Sequence, residues 1–196
     1  MERYYDSHTR LSPEEIEENV RKIKAGDVDT FRVIVLHFQR HLELYCFHML
    51  KRREEAQDAV QEIFIKAYEN IVKYTPTTTF SAWLYKIAYH HCLNLIKKRR
   101  RWQELLPFYV IQQLAPHYYG AATDNYLESL LNRITVEEKN ILLLRAIEEY
   151  SFEEIAVIMG QKAATIRKKY ERLRKKMKDH KHIREAISDE SVKTTT

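Results

Sequence analysis

Residues 151–178 read Ser151-Phe-Glu-Glu-Ile-Ala-Val-Ile-Met159-Gly160-Gln-Lys-Ala-Ala-Thr165-Ile-Arg-Lys-Lys-Tyr170-Glu-Arg-Leu-Arg-Lys-Lys-Met177-Lys178, and this stretch decides the fold of the C-terminal part. Ser151 with Glu154 three residues on is a capping box, which opens a short helix over 152–159. Gly160 ends it, as glycine beyond a helix C-terminus does. A turn at Gly160-Gln161-Lys162 leads into a longer helix over about 163–180, with Ile166, Tyr170, Leu173 and Met177 on one stripe. Two helices around a short glycine-containing turn have the spacing of a helix-turn-helix. Off the stripe stand Thr165, Arg167, Lys168, Lys169, Arg172, Lys175 and Lys176, and residues 161–184 hold eleven Lys and Arg against two Asp and Glu. Duplex DNA accounts for that arrangement. The N-terminal half of a recognition helix meets base edges in the major groove, while flanking cations neutralise phosphates and release counterions. Ala163 and Ala164 would let the backbone come close and would offer that spot no hydrogen-bonding side chain. A solvated Lys/Arg helix explains the charge but leaves the helix-turn-helix spacing without a reason.

Upstream of this segment, Thr135-Val-Glu-Glu138 is a second capping box, opening a helix over about 136–148, and a helical pattern returns from Tyr126. Residues 102–125 contain Pro107, Pro116 and Gly120, no Lys or Arg, and no sustained periodicity, and so read as a linker. Before it, Phe80 opens a helix to about Arg100, with Phe80, Leu84, Ile87, Ala88, His91 and Leu95 assigned to its buried side. Its other side carries Trp83, Lys86, His90, Asn94 and Lys97, and it ends in the basic run Lys97 to Arg101 before Trp102. Rings that stack on bases, beside cations that follow phosphates, suit single-stranded or melted DNA. Trp83 and Tyr85 fit equally as core residues. The Thr75-Pro-Thr-Thr-Thr79 segment is a polar loop ahead of this helix.

Two further amphipathic helices precede the loop. One spans about 30–50, and the other carries Ala56, Ala59, Val60, Ile63, Phe64, Ala67, Tyr68 and Ile71 as its apolar stripe. Off that stripe lie Asp58, Gln61, Glu62, Ile65 and Lys66, a protein-docking face or an ordinary solvated one. Ser12-Pro-Glu-Glu15 starts the first helix, which runs to about Lys24 and stops near Gly26.

Composition fits this reading. With three Gly and four Pro in 196 residues, a sandwich or barrel rich in tight turns is excluded, and all-α is the expected class. No two glycines are neighbours, so no Gly-rich phosphate loop exists. The net charge of +5 conceals two basic blocks, +7 over 31–101 and +9 over 161–184, within an otherwise acidic chain. The start of the chain is polar, no apolar stretch approaches the roughly 20 residues of a membrane span, and Cys46 and Cys92 form no Cys-x-x-Cys pair. The expected location is cytoplasmic, with reduced, buried thiols. His37 and His41 lie four apart on a helix, but no Glu follows His37 in the protease pattern and no third ligand is assignable, so no metal is expected. No nucleophile–base arrangement is legible, which gives the expectation of no enzyme, no cofactor and no small-molecule substrate.

Asp58-Ala-Val-Gln-Glu-Ile-Phe-Ile-Lys-Ala-Tyr68, Phe80-Ser-Ala-Trp-Leu-Tyr-Lys-Ile-Ala88 and the basic run after them resemble the second conserved region of bacterial sigma factors. Ile141-Leu-Leu-Leu-Arg145, Tyr150-Ser-Phe-Glu-Glu-Ile-Ala156, Gly160 and Thr165-Ile-Arg-Lys-Lys-Tyr170 resemble the fourth region. With those two regions alone, the chain is similar to the extracytoplasmic-function sigma factors of the sigma-70 family. The resemblance implies two small helical domains: a region 2-like domain at 1–101, the linker at 102–125, a region 4-like helix-turn-helix domain at 126–184, and a disordered tail at 185–196. It implies that Asp58, Gln61, Glu62, Phe64 and Ile65 contact core RNA polymerase at its β′ coiled coil, the β subunit being a further contact of the protein. Thr77, Thr78, Thr79, Trp83, Lys86, His90, Asn94, Lys97 and Arg100 would meet the melted minus-ten element, with residues 75–79 capturing a flipped base. Thr165, Arg167, Lys168, Lys169 and Arg172 would contact the minus-thirty-five element. A membrane-anchored anti-sigma factor is the implied regulator. The chain departs from the family where base identity is read: its loop lacks the usual Gly and charged residues, and His90 and Asn94-Leu95 replace the common Asn and Asp-Arg. A stand-alone helix-turn-helix regulator, dimeric on a palindrome, is the alternative, and it leaves residues 31–101 without a role.

Overall fold

The computed structural model describes residues 11–105 and 134–193, with side chains described over 11–104 and 134–178. The expected linker from 106 onward, the helical onset at 126–133 and the last three residues lie outside the described residues. The described residues form seven α-helices and one 3₁₀ turn and include no strand. They are α1 (Pro13–Lys24), α2 (Phe31–Leu50), α3 (Arg53–Asn70), α4 (Phe80–Leu105), α5 (Val136–Ala146), α6 (Phe152–Met159) and α7 (Ala163–Lys193), with the 3₁₀ turn at Ile71–Lys73. The chain divides into two compact units, one formed around α1–α4 and the other around α5–α7. No helix among the described residues is long and apolar enough to cross a membrane.

Local chemistry sets the helix ends in the first unit. Ser12 and Glu15 cap α1 reciprocally, the Glu15 N–H donating to Ser12 Oγ and the Ser12 N–H to Glu15 Oε2. Ahead of α2, Asp27 accepts from both the N–H and the hydroxyl of Thr30, and these bonds hold its carboxyl below the usual carboxylate range. α2 ends on Lys51 in the left-handed region, φ 68°, where its N–H still reaches the Phe47 carbonyl. Arg99 of α4 closes the same end by donating to the Leu50 carbonyl at 3.3 Å and to Glu55 at 3.4 Å.

α2, α3 and α4 bury their facing stripes together. Ile34, Leu42, Ile63, Phe80 and Leu84 are fully enclosed, and the Tyr45 and Tyr85 rings meet edge to face at 5.3 Å. Cys46 and Cys92 are buried free thiols with sulfurs 3.7 Å apart, as expected of inert core cysteines.

Four expectations change here. The buried side of α4 is Phe80, Leu84, Tyr85, Ala88, Tyr89, Cys92 and Ile96, rotated by about one residue from the Ile87, His91 and Leu95 series. Tyr68 is 41% exposed, because it lies on the Phe31 ring at the edge of α3. α4 continues to Leu105, past Arg100, with no glycine or proline to stop it. α7 continues to Lys193, through most of the expected disordered tail, because after Gly160 no residue breaks a helix.

In the second unit the boxes Thr135/Glu138 and Ser151/Glu154 both form as read, starting α5 and α6. Gly160, at φ 64°, makes the turn into α7. Ile141, Leu144, Ile155, Ile166 and Leu173 are buried in this unit.

Candidate nucleic-acid interfaces

The first surface lies on α4. Lys86, His90, Asn94, Lys97 and Arg100 are all exposed, and their steps of three and four place them along one face. Trp83 stands at its head, half-buried against Tyr74 and Phe80 with ring centroids 5.4 and 5.3 Å away. Tyr85 is 1% exposed and belongs to the core. Burial, then the cations of Lys86 and Lys97, holds His90 below its usual imidazole value, so at neutral pH it offers a neutral ring among cations. The basic run is divided. Lys97, Lys98, Arg100 and Arg101 face outward, whereas Arg99 is spent on the Leu50 carbonyl. Trp102 follows, 60% exposed. In the sequence its place right after the basic run is the signal that marks it, and no local feature assigns it a role.

The loop before α4 is more committed than its sequence suggests. Thr77 is exposed. Thr79 is the N-cap of α4, its hydroxyl accepting from the Ala82 N–H at 3.2 Å, so its side chain already has a structural task. The Thr78 carbonyl lies 2.7 Å from the Tyr74 hydroxyl. Beside the loop, Pro13, Glu17, Val20, Lys24, Tyr74 and Pro76 enclose a mostly apolar cleft of about 430 Å³. No motif in the sequence assigns Glu17, Lys24 or Tyr74 a role. Glu17 is one of four glutamates over 14–18, and with Glu15 assigned to the capping box nothing local separates it from Glu14 and Glu18.

On α3, Asp58, Gln61, Glu62 and Ile65 are exposed, Ile65 at 51%. Ile65, Tyr68 and Val72 continue as an apolar strip flanked by carboxylates. Phe64 does not join them. It is 8% exposed and meets Phe31 edge to face, which corrects its expected place on the docking face. Lys66 links this helix to α4. Its Nζ lies 3.8 Å from Glu62 and 2.6 Å from His91 Nδ1.

The other surface is on α7. Thr165, Lys168 and Arg172 are exposed on one face, and Lys175 extends it. Neither Lys168, Arg172 nor Lys175 is in an ion pair with another described residue. Arg167 is exposed but paired with Glu153 of α6, and its guanidinium lies 5.8 Å from the centre of the Phe152 ring. Lys169 points back into the unit, donating to Glu137 of α5 and to Gln161. In the free protein it ties α7 to α5. Lys176 similarly holds Glu138, at 2.7 Å. What remains is a face of a hydroxyl and cations without an ion-pair partner among the described side chains, beside the first turn of α7, an arrangement suited to phosphates and a major groove. Among the described residues no group of three or more His, Cys, Asp or Glu could hold a metal ion.

Two family descriptions match this chain, "Sigma-70 region 2" over residues 34–102 and "Sigma-70, region 4" over residues 124–177. The ECF RNA polymerase sigma factor SigW of Bacillus subtilis is 28% identical over 182 residues, 84% of this chain and 97% of SigW. The RNA polymerase sigma-H factor of Pseudomonas aeruginosa is 26% identical, over 84% of this chain and 92% of its own. Among solved structures, CnrH in complex with the cytosolic domain of CnrY has a TM-score of 0.66 at 18% identity, covering 86% of this chain and 97% of that one. The sigma factor RpoE in complex with the anti-sigma factor NepR from Bartonella quintana has a TM-score of 0.61 at 20% identity, covering 76% and 94%. These two likenesses support the helical fold.

Proposed function

The chain belongs to the sigma-70 family, as an extracytoplasmic-function sigma factor of bacterial RNA polymerase, and from that premise we propose how its surfaces divide the work. The exposed face of α3, with Asp58, Gln61, Glu62 and Ile65, docks on the β′ coiled coil of core polymerase. The loop at 75–79 and the outer face of α4 hold the melted minus-ten strand. The face of α7 with Thr165, Lys168 and Arg172, joined by Arg167, binds the minus-thirty-five duplex. Residues 102–125 serve as the linker between the two DNA-reading domains, 1–101 and 126–184. The protein itself performs no bond-making chemistry. Its binding energy offsets the few kcal/mol of stacking lost when a base leaves the duplex.

One observation carries the division. The two basic faces differ in kind: α4 mixes a half-buried ring, an exposed imidazole and an amide with its cations, whereas α7 presents cations and a hydroxyl with one exposed carboxylate, Glu171, and no ring or amide among them. Unpaired bases need the first kind of surface, and phosphates flanking a groove need the second. A stand-alone helix-turn-helix regulator would leave the α3 and α4 faces unused.

SigW is named for the same function, and the RpoE structure holds an anti-sigma factor. By analogy this protein is cytoplasmic and takes an anti-sigma partner, which would place it at the membrane when that partner is anchored there. The test is run-off transcription with core polymerase and genomic fragments. Discrete transcripts that need both proteins are expected, and their start sites define the promoter. Purified core that neither retains the protein nor initiates with it would overturn the assignment.

A further inference from the structure

α1 lies on neither proposed binding face, yet it is bonded to the loop between them. Glu17 Oε1 accepts from the Phe80 N–H at 2.8 Å and lies 2.8 Å from the Tyr74 hydroxyl. One carboxylate oxygen therefore joins the two residues that bracket Thr75–Thr79, from more than fifty positions upstream in the chain. Lys24, two turns further along α1, donates to the Tyr74 carbonyl at 2.8 Å, and its ammonium lies 6.0 Å from the centre of the Tyr74 ring. The Tyr74 ring packs edge to face on Phe80 and tilts against Trp83, so the position of Trp83 depends on the same strut.

Physics favours Glu17 as the anchor. A carboxylate at a helix N-terminus satisfies a donor that has no partner within the helix and sits at the positive end of the dipole. Tyr74 has one hydroxyl proton and two acceptors within reach, Glu17 at 2.8 Å and the Thr78 carbonyl at 2.7 Å. The charged acceptor makes the stronger bond. The loop is thus clasped at both ends by one side chain, while Thr77 at its tip stays exposed.

We propose that Glu17 is a positioning residue for strand recognition: through Tyr74 and the Phe80 N–H it sets the shape of the 75–79 loop and the placement of Trp83, and so sets which base the loop accepts. Lys24 supports it from the carbonyl side. This rests on the proposal that the loop contacts the melted minus-ten strand.

The experiment uses full-length protein bound to core polymerase. The probe is a labelled single-stranded oligonucleotide carrying the non-template minus-ten sequence mapped by run-off transcription, with variants bearing each other base at each position. Glu17→Ala is expected to weaken binding of the cognate strand about tenfold, as loss of a charge-assisted hydrogen bond does, and to flatten the preference among bases. Glu17→Gln keeps an acceptor oxygen and is expected to restore the preference. Tyr74→Phe removes only the phenol hydroxyl, and with it the contacts to Glu17 and to the Thr78 carbonyl, and should fall between the two. Affinity for core should stay at the wild-type level in all three. Wild-type base preference in both Glu17→Ala and Tyr74→Phe would overturn the inference, as would a loss of strand binding matched by an equal loss of core binding. Should Glu17→Ala not fold, an unchanged preference in Tyr74→Phe overturns it alone. A wild-type holoenzyme that retains no strand overturns the parent reading as well.

Discussion

Lys168 and Lys169 are neighbours of identical chemistry in opposite surroundings. Lys168 faces outward, whereas Lys169 crosses to Glu137 and Gln161. Lys168→Ala should weaken binding to the upstream duplex and reduce the slope of log affinity against log salt by about 0.9, one phosphate contact, with the melting temperature unchanged. Lys169→Ala should leave that slope unchanged and cost the second unit about 0.5 kcal/mol, the scale of a partly exposed pair. Anisotropy titrations at several salt concentrations, with thermal melts, separate the two. No reading of the sequence could have done so, because an unbroken Lys/Arg run offers no contrast between its faces. The same limit hid Arg99, whose partner carbonyl is 49 positions away. His91 carries a pH prediction. Burial, then the nearby Lys66 cation, holds its imidazole below the usual value, with Glu62 acting weakly the other way. Lys66 donates to the unprotonated Nδ1. The unfolded chain therefore binds the proton more readily, and stability present above about pH 6.5 declines as pH falls through the folded value. His91→Gln should flatten that decline in urea titrations from pH 7.5 to 5. An unaltered decline would assign it to other groups.

α4 shows what periodicity can and cannot resolve. Between Phe80 and Ile96 apolar residues stand at most positions, so two stripes one residue apart both satisfy helical spacing. The structure selects Tyr85, Tyr89, Cys92 and Ile96 because α2 and α3 both pack on this helix, which broadens and turns its buried arc. Ile96→Ala should therefore cost about 2–4 kcal/mol, the range for a buried aliphatic, while the half-buried Leu95→Ala costs clearly less. Equal costs would restore the other stripe. The outer face was legible all the same: Lys86, His90, Asn94 and Lys97 are exposed as read, since polar residues among apolar ones mark the solvent side without ambiguity. Helix starts were the most legible feature, because a capping box is complete within four residues. Both box partners are present at Thr135 and Glu138. Thr135→Ala should cost about 1 kcal/mol, read as faster amide exchange in the first turn of α5.

For the whole molecule, the alternation of charge along the chain was the most informative pattern. The two basic blocks, with no Lys or Arg over 102–132 between them, fall in the two separate compact units, and like charges gathered on separate surfaces can engage separate anions. What the charge pattern could not disclose is the brace from α1, since a contact between residues 17 and 74 leaves no trace in local composition. If the units divide the work as proposed, their defects are separable. Asp58→Ala with Glu62→Ala should reduce affinity for core polymerase while the isolated protein binds upstream duplex unchanged. Arg167→Ala with Lys168→Ala should do the reverse. Arg167 is the informative member, because in the free protein it is paired with Glu153 and must exchange that partner for phosphate. A template mismatched across the minus-ten element then isolates the opening step. Pre-melting removes the few kcal/mol spent on unstacking, so it should rescue initiation by Trp83→Ala and His90→Ala in part. It should not rescue the α3 pair, whose defect precedes DNA altogether. Transcript yield on duplex and mismatched templates measures this directly. Equal rescue of both classes would mean that α3 and α4 act on one step, and that the assignment of separate faces is wrong.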